Sequence, residues 1–154
     1  MKILIVNQVF YPDVSATSQY LTDLALELSK KNHKITVLTA RCGYTAPWPL
    51  YSKEENYQGI HIVRVWPFRF DKKSRLMRVL QSLGLNLSFA LKMLRLPEFD
   101  RILALTSPPM VGWVCALLAG VKKKKFYYWL MDINPDEAIA AGWIRKDGIR
   151  ARFL

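Results

Sequence analysis

Short apolar runs alternate with amphipathic stretches along this chain of 154 residues, and that alternation constrains the fold more than any other feature. The first run, residues 2–7, is continuous and rich in leucine and β-branched residues, as expected of a strand covered on both faces in a parallel sheet. Apolar residues then recur at helical spacing over 18–31, and a second apolar run covers 34–39. This succession predicts a right-handed βαβ unit.

The same alternation continues to the end of the chain. Further strands are predicted at 60–66, 99–106 and 125–131. The helical stretches are 74–96, expected to be interrupted or bent near Gly84, the apolar helix 110–120, expected to be buried, and 136–141. Residues 41–57 contain proline, glycine and several aromatics and are predicted to form a long irregular loop. The fold class is therefore α/β, with a doubly wound, mainly parallel, Rossmann-like sheet.

In such a sheet, ligands bind beyond the carboxyl ends of the strands near the topological switch point. The loops selected by that rule are 8–18, 39–57, 106–110 and 132–136. The first of them contains no glycine, which excludes both the dinucleotide fingerprint and the P-loop. Its small residues Ser15, Ala16 and Thr17 nevertheless precede or open a helix, whose backbone N–H groups can hold a phosphate or a carboxylate. The alternative is that Thr17 or Ser18 caps the helix with nothing bound.

The net charge indicates which kind of partner the protein binds, and the cysteine content indicates the redox state of its compartment. The net charge of +11 favours an anionic partner, and two cysteines, Cys42 and Cys115, give weak support for a reducing compartment. The N-terminus lacks a signal-peptide pattern, and no apolar stretch reaches the roughly 20 residues of a membrane span. His33 and His61 have no partners at metal-ligand spacing, so no metal site is expected. The basic residues interleave with leucines rather than with stacking aromatics, which argues against nucleic acid.

Three motifs in order give the chain a family resemblance. The first is the F-x-P-[DE] loop of Phe10, Pro12 and Asp13, followed by the small-residue turn at 15–18, a helix ending near His33 and a second strand. The others are the T-S-P-P segment at 106–109 and the stretch 129–142, with its D-x-x-P-[DE] pattern. Together they resemble the N-terminal domain of family-4-like retaining glycosyltransferases of the GT-B fold, nearest to the bacterial enzymes of colanic acid, capsule and O-antigen assembly.

The resemblance implies a two-domain, hexosyltransferase-like enzyme of which residues 1–154 are the acceptor-side, Rossmann-like domain. The nucleotide-sugar donor would be a co-substrate held mainly by a C-terminal domain, on a longer product or a separate chain, and without it this chain is expected to be inactive. Asn32 stands where relatives often have glycine, and it tolerates the left-handed geometry of that turn. Asp132 would orient an acceptor hydroxyl, and Ser107 and Asp136 would bind substrate. Alternatively, Asp132 or, more suitably, Asp136 caps the following helix, and Ser107 simply ends a strand.

A basic, leucine-rich segment suggests contact with a membrane. Residues 72–97 contain no acidic residue, and the basic side chains are Lys72, Lys73, Arg75, Arg78, Lys92 and Arg95. Such a composition fits helices on anionic lipid, and the alternative is a core helix with a solvated basic edge. We expect a cytoplasmic protein, peripheral on the inner face of the cytoplasmic membrane, that acts on a lipid-linked or polysaccharide precursor in cell-surface glycan biosynthesis. The alternative function is a non-catalytic membrane-docking subunit that recruits a separate catalytic chain.

Overall fold

A computed structural model describes residues 1–43, 50–66 and 75–131 of the chain. In this part of the chain, six strands form one sheet in the order β3-β4-β2-β1-β5-β6, parallel throughout except for the β3–β4 pair. The strands are β1 (Lys2–Val6), β2 (Lys34–Ala40), β3 (Glu54–Tyr57), β4 (Ile60–Val65), β5 (Arg101–Ala104) and β6 (Lys125–Tyr128). The helices are α1 (Ala16–Lys30), α2 (Arg75–Arg95) and α3 (Val111–Val121). The α/β, mainly parallel, Rossmann-like fold expected from the sequence is confirmed.

Strand β1 lies at the centre of the sheet because its side chains are apolar on both faces. Leu4, Ile5 and Val6 are fully buried, and β1 pairs in parallel with β2 on one side and β5 on the other. From β1 the chain first builds the sheet outward through β2 and β4, and then returns to build β5 and β6 on the opposite side. The direction therefore reverses between β1 and β5, which makes their carboxyl ends the topological switch point.

The two faces of the sheet are covered by different helices. Helix α1 lies on one face, where Leu21 and Ala25 pack with Ile5 of β1 in one apolar cluster. Helices α2 and α3 lie on the other face, where Phe89 and Cys115 belong to a second cluster. The sheet is thus the middle layer of three, which is the arrangement that a doubly wound fold requires.

The prediction that residues 41–57 form an irregular loop is wrong for its last part, because strand β3 lies there. A tight turn at Gln58 and Gly59, with φ of 47° and 84°, reverses the chain so that Tyr57 pairs with Ile60. Both turn residues adopt positive φ, the geometry that matches the twist of a β-hairpin. The sequence of β3 reads Glu-Glu-Asn-Tyr, a poor strand former by composition, so pairing with β4 rather than propensity stabilises it.

The helix of residues 74–96 was expected to be interrupted or bent near Gly84, and the expected interruption is absent. Helix α2 is continuous from Arg75 to Arg95. A glycine inside a helix costs only about 1 kcal/mol relative to alanine. Burial of Leu85 and Phe89 immediately after it offsets that cost. At the end of α1, by contrast, the prediction for Asn32 is confirmed, since it adopts a left-handed φ of 61°.

Helix α3 runs beside α2, and side chains join the two helices at both ends. Near the start of α3, Ser82 Oγ and Asn86 Nδ2 donate to Pro109 O, and at its end Lys122 Nζ donates to Met93 O. The helix was expected to be buried, but only one face is. Val111, Cys115, Leu118 and Ala119 face the sheet, whereas Trp113, Leu117 and Val121 are 76%, 70% and 68% exposed.

An ideal Cβ on Gly112 would lie 2.9 Å from Tyr128 Cε2, so α3 and β6 approach closely at this point, whereas Gly120 faces open space.

Burial raises the pKa of the Cys115 thiol to about 12, while Cys42, just after β2, is half-buried. In the part of the chain that the structure describes, no helix is long and apolar enough to cross a membrane. The predicted helix 136–141 lies outside the described residues.

Candidate functional site

Gln8 links three strands at the topological switch point. Its backbone N–H donates to Ser107 O at 2.7 Å, and its side-chain Oε1 accepts a hydrogen bond from Ser107 Oγ at 3.1 Å. Its carbonyl oxygen accepts from Thr39 Oγ1 and from the backbone N–H of Ala40. The loops that follow β1 and β5 are thereby held against each other and against the end of β2, so the carboxyl edge has a fixed geometry here.

Helix α1 begins at this edge, and Ser15 is its N-cap residue. Ser15 has extended geometry, and its backbone N–H donates to Asp13 Oδ1 at 2.8 Å. The alternative that Thr17 or Ser18 caps the helix is wrong, because both lie inside the first turn. The serine side chain forms no capping hydrogen bond. Because the first N–H groups of a helix lack intrahelical acceptors, the first turn keeps donors that an anion can use.

Three polar side-chain atoms near this edge are buried without a hydrogen-bond partner within the described residues. They are Asn7 Oδ1, Ser15 Oγ and Ser18 Oγ, and both Asn7 and Ser18 are fully buried. Leaving a buried polar atom unpaired costs roughly 1–3 kcal/mol. Such atoms are uncommon in native proteins, and their concentration at the end of β1 and the start of α1 marks this edge as a candidate site. Of the three residues only Ser15 is partly exposed, so its hydroxyl is the one placed to donate to an anionic oxygen at this edge.

The charged groups closest to the first loop are the Asp13 carboxylate within it and the ion pair of Arg64 and Glu55 beside it. The first turn of α1 contains no acidic side chain, and the Asp13 carboxylate just before it accepts the N–H of Ser15. Burial and then the nearby Asp13 carboxylate raise the pKa of Tyr51, and the Arg64 guanidinium acts in the opposite direction. Tyr51 therefore remains a neutral phenol at physiological pH. The site combines helix N–H donors and hydroxyl groups with neutral aromatic surface.

The structure brings together four of the residues selected from the sequence. Ser15, Ala16 and Thr17 form the start of α1, and Ser107 lies in the loop after β5, joined to the first loop through Gln8. Asp132 and Asp136 lie outside the described residues. Ser107 also follows the end of β5 at Ala104, so both of its proposed roles remain compatible with its position.

The basic residues proposed for a membrane surface occupy different environments. Arg78 and Arg95 are exposed on α2. Lys92 is half-buried and donates to Glu54 Oε1 at 3.1 Å, so its charge is already paired with β3. Arg75 begins α2, and its side chain is not among those described; Lys72 and Lys73 lie outside the described residues.

The outward sides of α2 and α3 form an apolar surface that we call the outer α2–α3 face. Its members on α2 are between 41% and 63% exposed. The face consists of Leu76, Val79, Leu80, Leu83, Leu87, Leu91 and Leu94 on α2 and of Trp113, Leu117 and Val121 on α3. Neither helix contains an acidic residue. Contiguous exposed apolar surface of this kind is typical of a contact site for another molecule or for lipid.

The loops selected from the sequence include Gln8 without singling it out, and neither Asn7 nor Arg64 was selected. A signal for Asn7 and Gln8 was available, because two polar amides directly after a buried strand occupy the carboxyl edge of a parallel sheet. No comparable signal exists for Arg64, which the pattern of β4 places on a buried strand face. Among the residues the structure describes, no group of three or more His, Cys, Asp or Glu side chains is placed to hold a metal ion.

Comparison with models of known protein families gives no match, and comparison with curated proteins gives no significant match.

Proposed function

We propose that this chain is the acceptor-binding domain of a retaining glycosyltransferase that acts on a lipid-linked or polysaccharide precursor in cell-surface glycan biosynthesis. The observation that carries the proposal is the site at the switch point, where the start of α1 and the loop after β5 are joined through Gln8 and Ser107. The motifs that resemble such enzymes, F-x-P-[DE] and T-S-P-P, contribute these two loops.

The chemistry of the site suits an acceptor that carries a diphosphate next to a sugar. The N–H groups of the first turn of α1 and the hydroxyl of Ser15 bind the anionic oxygens. In this proposal, Asp132 and Asp136 complete the acceptor side, and a separate donor domain neutralises the leaving diphosphate of the nucleotide sugar as its charge develops. The chain by itself binds acceptor but does not transfer a sugar.

Binding of a short polyprenyl diphosphate in detergent micelles tests this proposal. The backbone amide resonances of Ser15, Ala16 and Thr17 are expected to shift on titration, and Ser15→Ala and Ser107→Ala should weaken the affinity several-fold. Ser88→Ala is the matched control, because Ser88 Oγ bonds only within α2, to Gly84 O. Resonance shifts confined to other regions, or equal affinity in all three variants, would contradict the proposal.

A second candidate function, docking to an anionic membrane without catalysis, is favoured by the outer α2–α3 face. This face is apolar over both helices, and α2 also carries the exposed Arg78 and Arg95. Each basic residue near an anionic surface contributes roughly 1 kcal/mol of attraction. The two functions are compatible, since a lipid-linked acceptor is presented at a membrane.

Co-sedimentation with vesicles tests the docking function. We expect binding to vesicles that contain phosphatidylglycerol, and weaker binding to vesicles of phosphatidylcholine alone. The double variant Arg78→Glu, Arg95→Glu should lose most of this preference. The variant Lys31→Glu, Lys34→Glu makes the same charge change at exposed positions at the end of α1 and the start of β2 and should retain the preference. If both double variants lose the preference for anionic vesicles equally, the preference depends only on net charge, and the docking function is contradicted.

A further inference from the structure

Arg64 is a charged residue among the apolar residues at the carboxyl end of β4. Its neighbours in β4, Ile62, Val63 and Val65, all belong to the core, and the Arg64 side chain itself is 0% exposed. An arginine is almost never fully buried unless it is paired, because removing its charge from water costs several kcal/mol. The contacts of its guanidinium group therefore indicate which parts of the fold the residue holds together.

The guanidinium group of Arg64 joins the first loop to the segment 51–55. Nη2 donates to the backbone oxygen of Tyr11 at 2.7 Å, and Nη1 lies 3.3 Å from the backbone oxygen of Ser52. The same two nitrogens contact the carboxylate of Glu55 in β3 at 3.1 and 3.0 Å, which is the bidentate arrangement that only arginine can form. The ring of Tyr51 lies against the guanidinium carbon at 5.3 Å.

From Tyr11, a short series of contacts leads to the start of α1. The Asp13 N–H donates to Phe10 O at 3.0 Å, closing a turn around Tyr11, and Asp13 Oδ1 accepts from the N–H of Ser15 at 2.8 Å. The Tyr11 ring stacks on Tyr57 with 3.8 Å between ring centroids. The first loop is thus fixed through the backbone of Tyr11 by Arg64 and through its ring by the β3–β4 hairpin.

We infer that Arg64 is a positioning residue that holds the first loop so that the first turn of α1 presents its N–H groups to an anionic group at the switch point. Arg64 is too deeply buried to touch that group itself. The inference rests on the proposed function, because it concerns the same anion site, and it adds the residue on which the geometry of that site depends. The Glu55 carboxylate compensates the buried charge through the same two nitrogens that bond Tyr11 and Ser52.

Titration with inorganic diphosphate, followed by the amide resonances of Ser15, Ala16 and Thr17, tests the inference. Arg64→Lys keeps a positive charge but cannot form the fork, so the affinity should fall about tenfold and the three resonances should move already in the free protein. Phe89→Leu, on the opposite face of the sheet, is the control for destabilisation alone. It should lower the unfolding temperature and leave both the affinity and the three resonances unchanged.

The outcomes separate this inference from the proposed function. If the unaltered chain binds diphosphate and Arg64→Lys binds it equally well, the positioning role is overturned and the site stands. If the unaltered chain does not bind diphosphate at these amides, the anion site is overturned and the inference with it. Should Arg64→Lys fail to fold, Tyr57→Leu removes the ring stack on Tyr11 and leaves Arg64 in place. A several-fold loss of affinity then supports the inference, and unchanged affinity overturns it.

Discussion

Helices α1 and α2 both pack on the central sheet, yet their outward sides differ in character. The outward side of α1 is mainly polar, with Asp23, Glu27 and Lys30 exposed and Tyr20 as its one large exposed apolar side chain. The outward side of α2 is lined with leucine and valine over its whole length, and α3 extends the same surface with Trp113. Helical periodicity alone requires only the inward side to be apolar. The second apolar side of α2 is therefore a feature that folding of the described residues does not need.

The largest expected effect comes from truncating one phenylalanine on each face of the sheet. Phe10→Ala and Phe89→Ala each remove a fully buried ring, and each should lower the free energy of unfolding by about 3–5 kcal/mol. Urea denaturation measures both losses. Only Phe10→Ala should also weaken diphosphate binding, because the buried Phe10 ring anchors the first loop at the turn that runs from Phe10 to Asp13. Equal effects of the two variants on binding would show that the faces are not functionally distinct.

The next largest effect is a difference in stability between alanine substitutions at the two glycines of α3. Gly120→Ala faces open space at the end of the helix and should stabilise the protein by up to ~1 kcal/mol through helix propensity. Gly112→Ala should lose that gain and become neutral or destabilising by about 1 kcal/mol, because the Tyr128 ring must move. Thermal unfolding of the double variant Gly112→Ala, Tyr128→Ala, beside Tyr128→Ala alone, provides the check. Without the ring, the alanine should stabilise.

A smaller effect on stability, with a large effect on lipid binding, is expected at the outward leucines. Leu83→Gln, Leu87→Gln and Leu91→Gln should each change the free energy of unfolding by less than about 0.5 kcal/mol, since these side chains are exposed. Together they should abolish binding to phosphatidylglycerol vesicles. Tyr20→Gln on α1 is the matched control and should leave vesicle binding intact. A loss of more than 2 kcal/mol for any single leucine, about the value of a buried one, would mean that the outward side is part of the core.

The smallest expected effect is a pH dependence of the folding stability. It comes from Asp100, which lies where the chain after α2 returns to the sheet. A hydrogen bond from the Lys2 N–H, 2.7 Å long, lowers the pKa of Asp100. Because the folded pKa is lowered, the contribution of the carboxylate to stability is present above the unfolded pKa and is lost as pH falls through the folded value. Asp100→Asn should therefore slightly reduce the loss of stability between neutral and acid pH, measured by urea midpoints. Asp23→Asn on α1 serves as control, and an equal change there would contradict the assignment.

The fold could be predicted from the sequence wherever the strands are buried on both faces. The continuous apolar runs of β1 and β2 predict a parallel sheet directly. Strand β3 was not predicted, because two glutamates and an asparagine do not favour a strand. The strand forms because it pairs with β4 after the turn at Gly59. Helix α3 was expected to be buried because its composition is apolar all round, and composition cannot tell a core helix from one with an exposed contact surface.

The candidate site was predictable in position and less so in detail. The rule for the carboxyl edge selects the loops that contain Ser15 and Ser107, because topology alone determines where strand ends meet. The bond between Gln8 and Ser107 joins residues far apart in the chain, and Arg64 reaches the first loop from β4. Such contacts depend on side-chain directions in three dimensions, which spacing along the sequence does not encode.

The two cysteines differ in a way that has a practical use. At neutral pH Cys115, buried on α3, stays a thiol and is shielded from reagents, whereas Cys42 is half-buried just after β2, beside the first loop and Tyr51. Thiolates, not thiols, react with alkylating dyes. A maleimide fluorophore should therefore attach selectively at Cys42 in the unaltered sequence. The protein thus carries a built-in attachment point for a spectroscopic reporter next to its proposed acceptor site, and ligand-induced motion of that edge can be followed without mutating a residue.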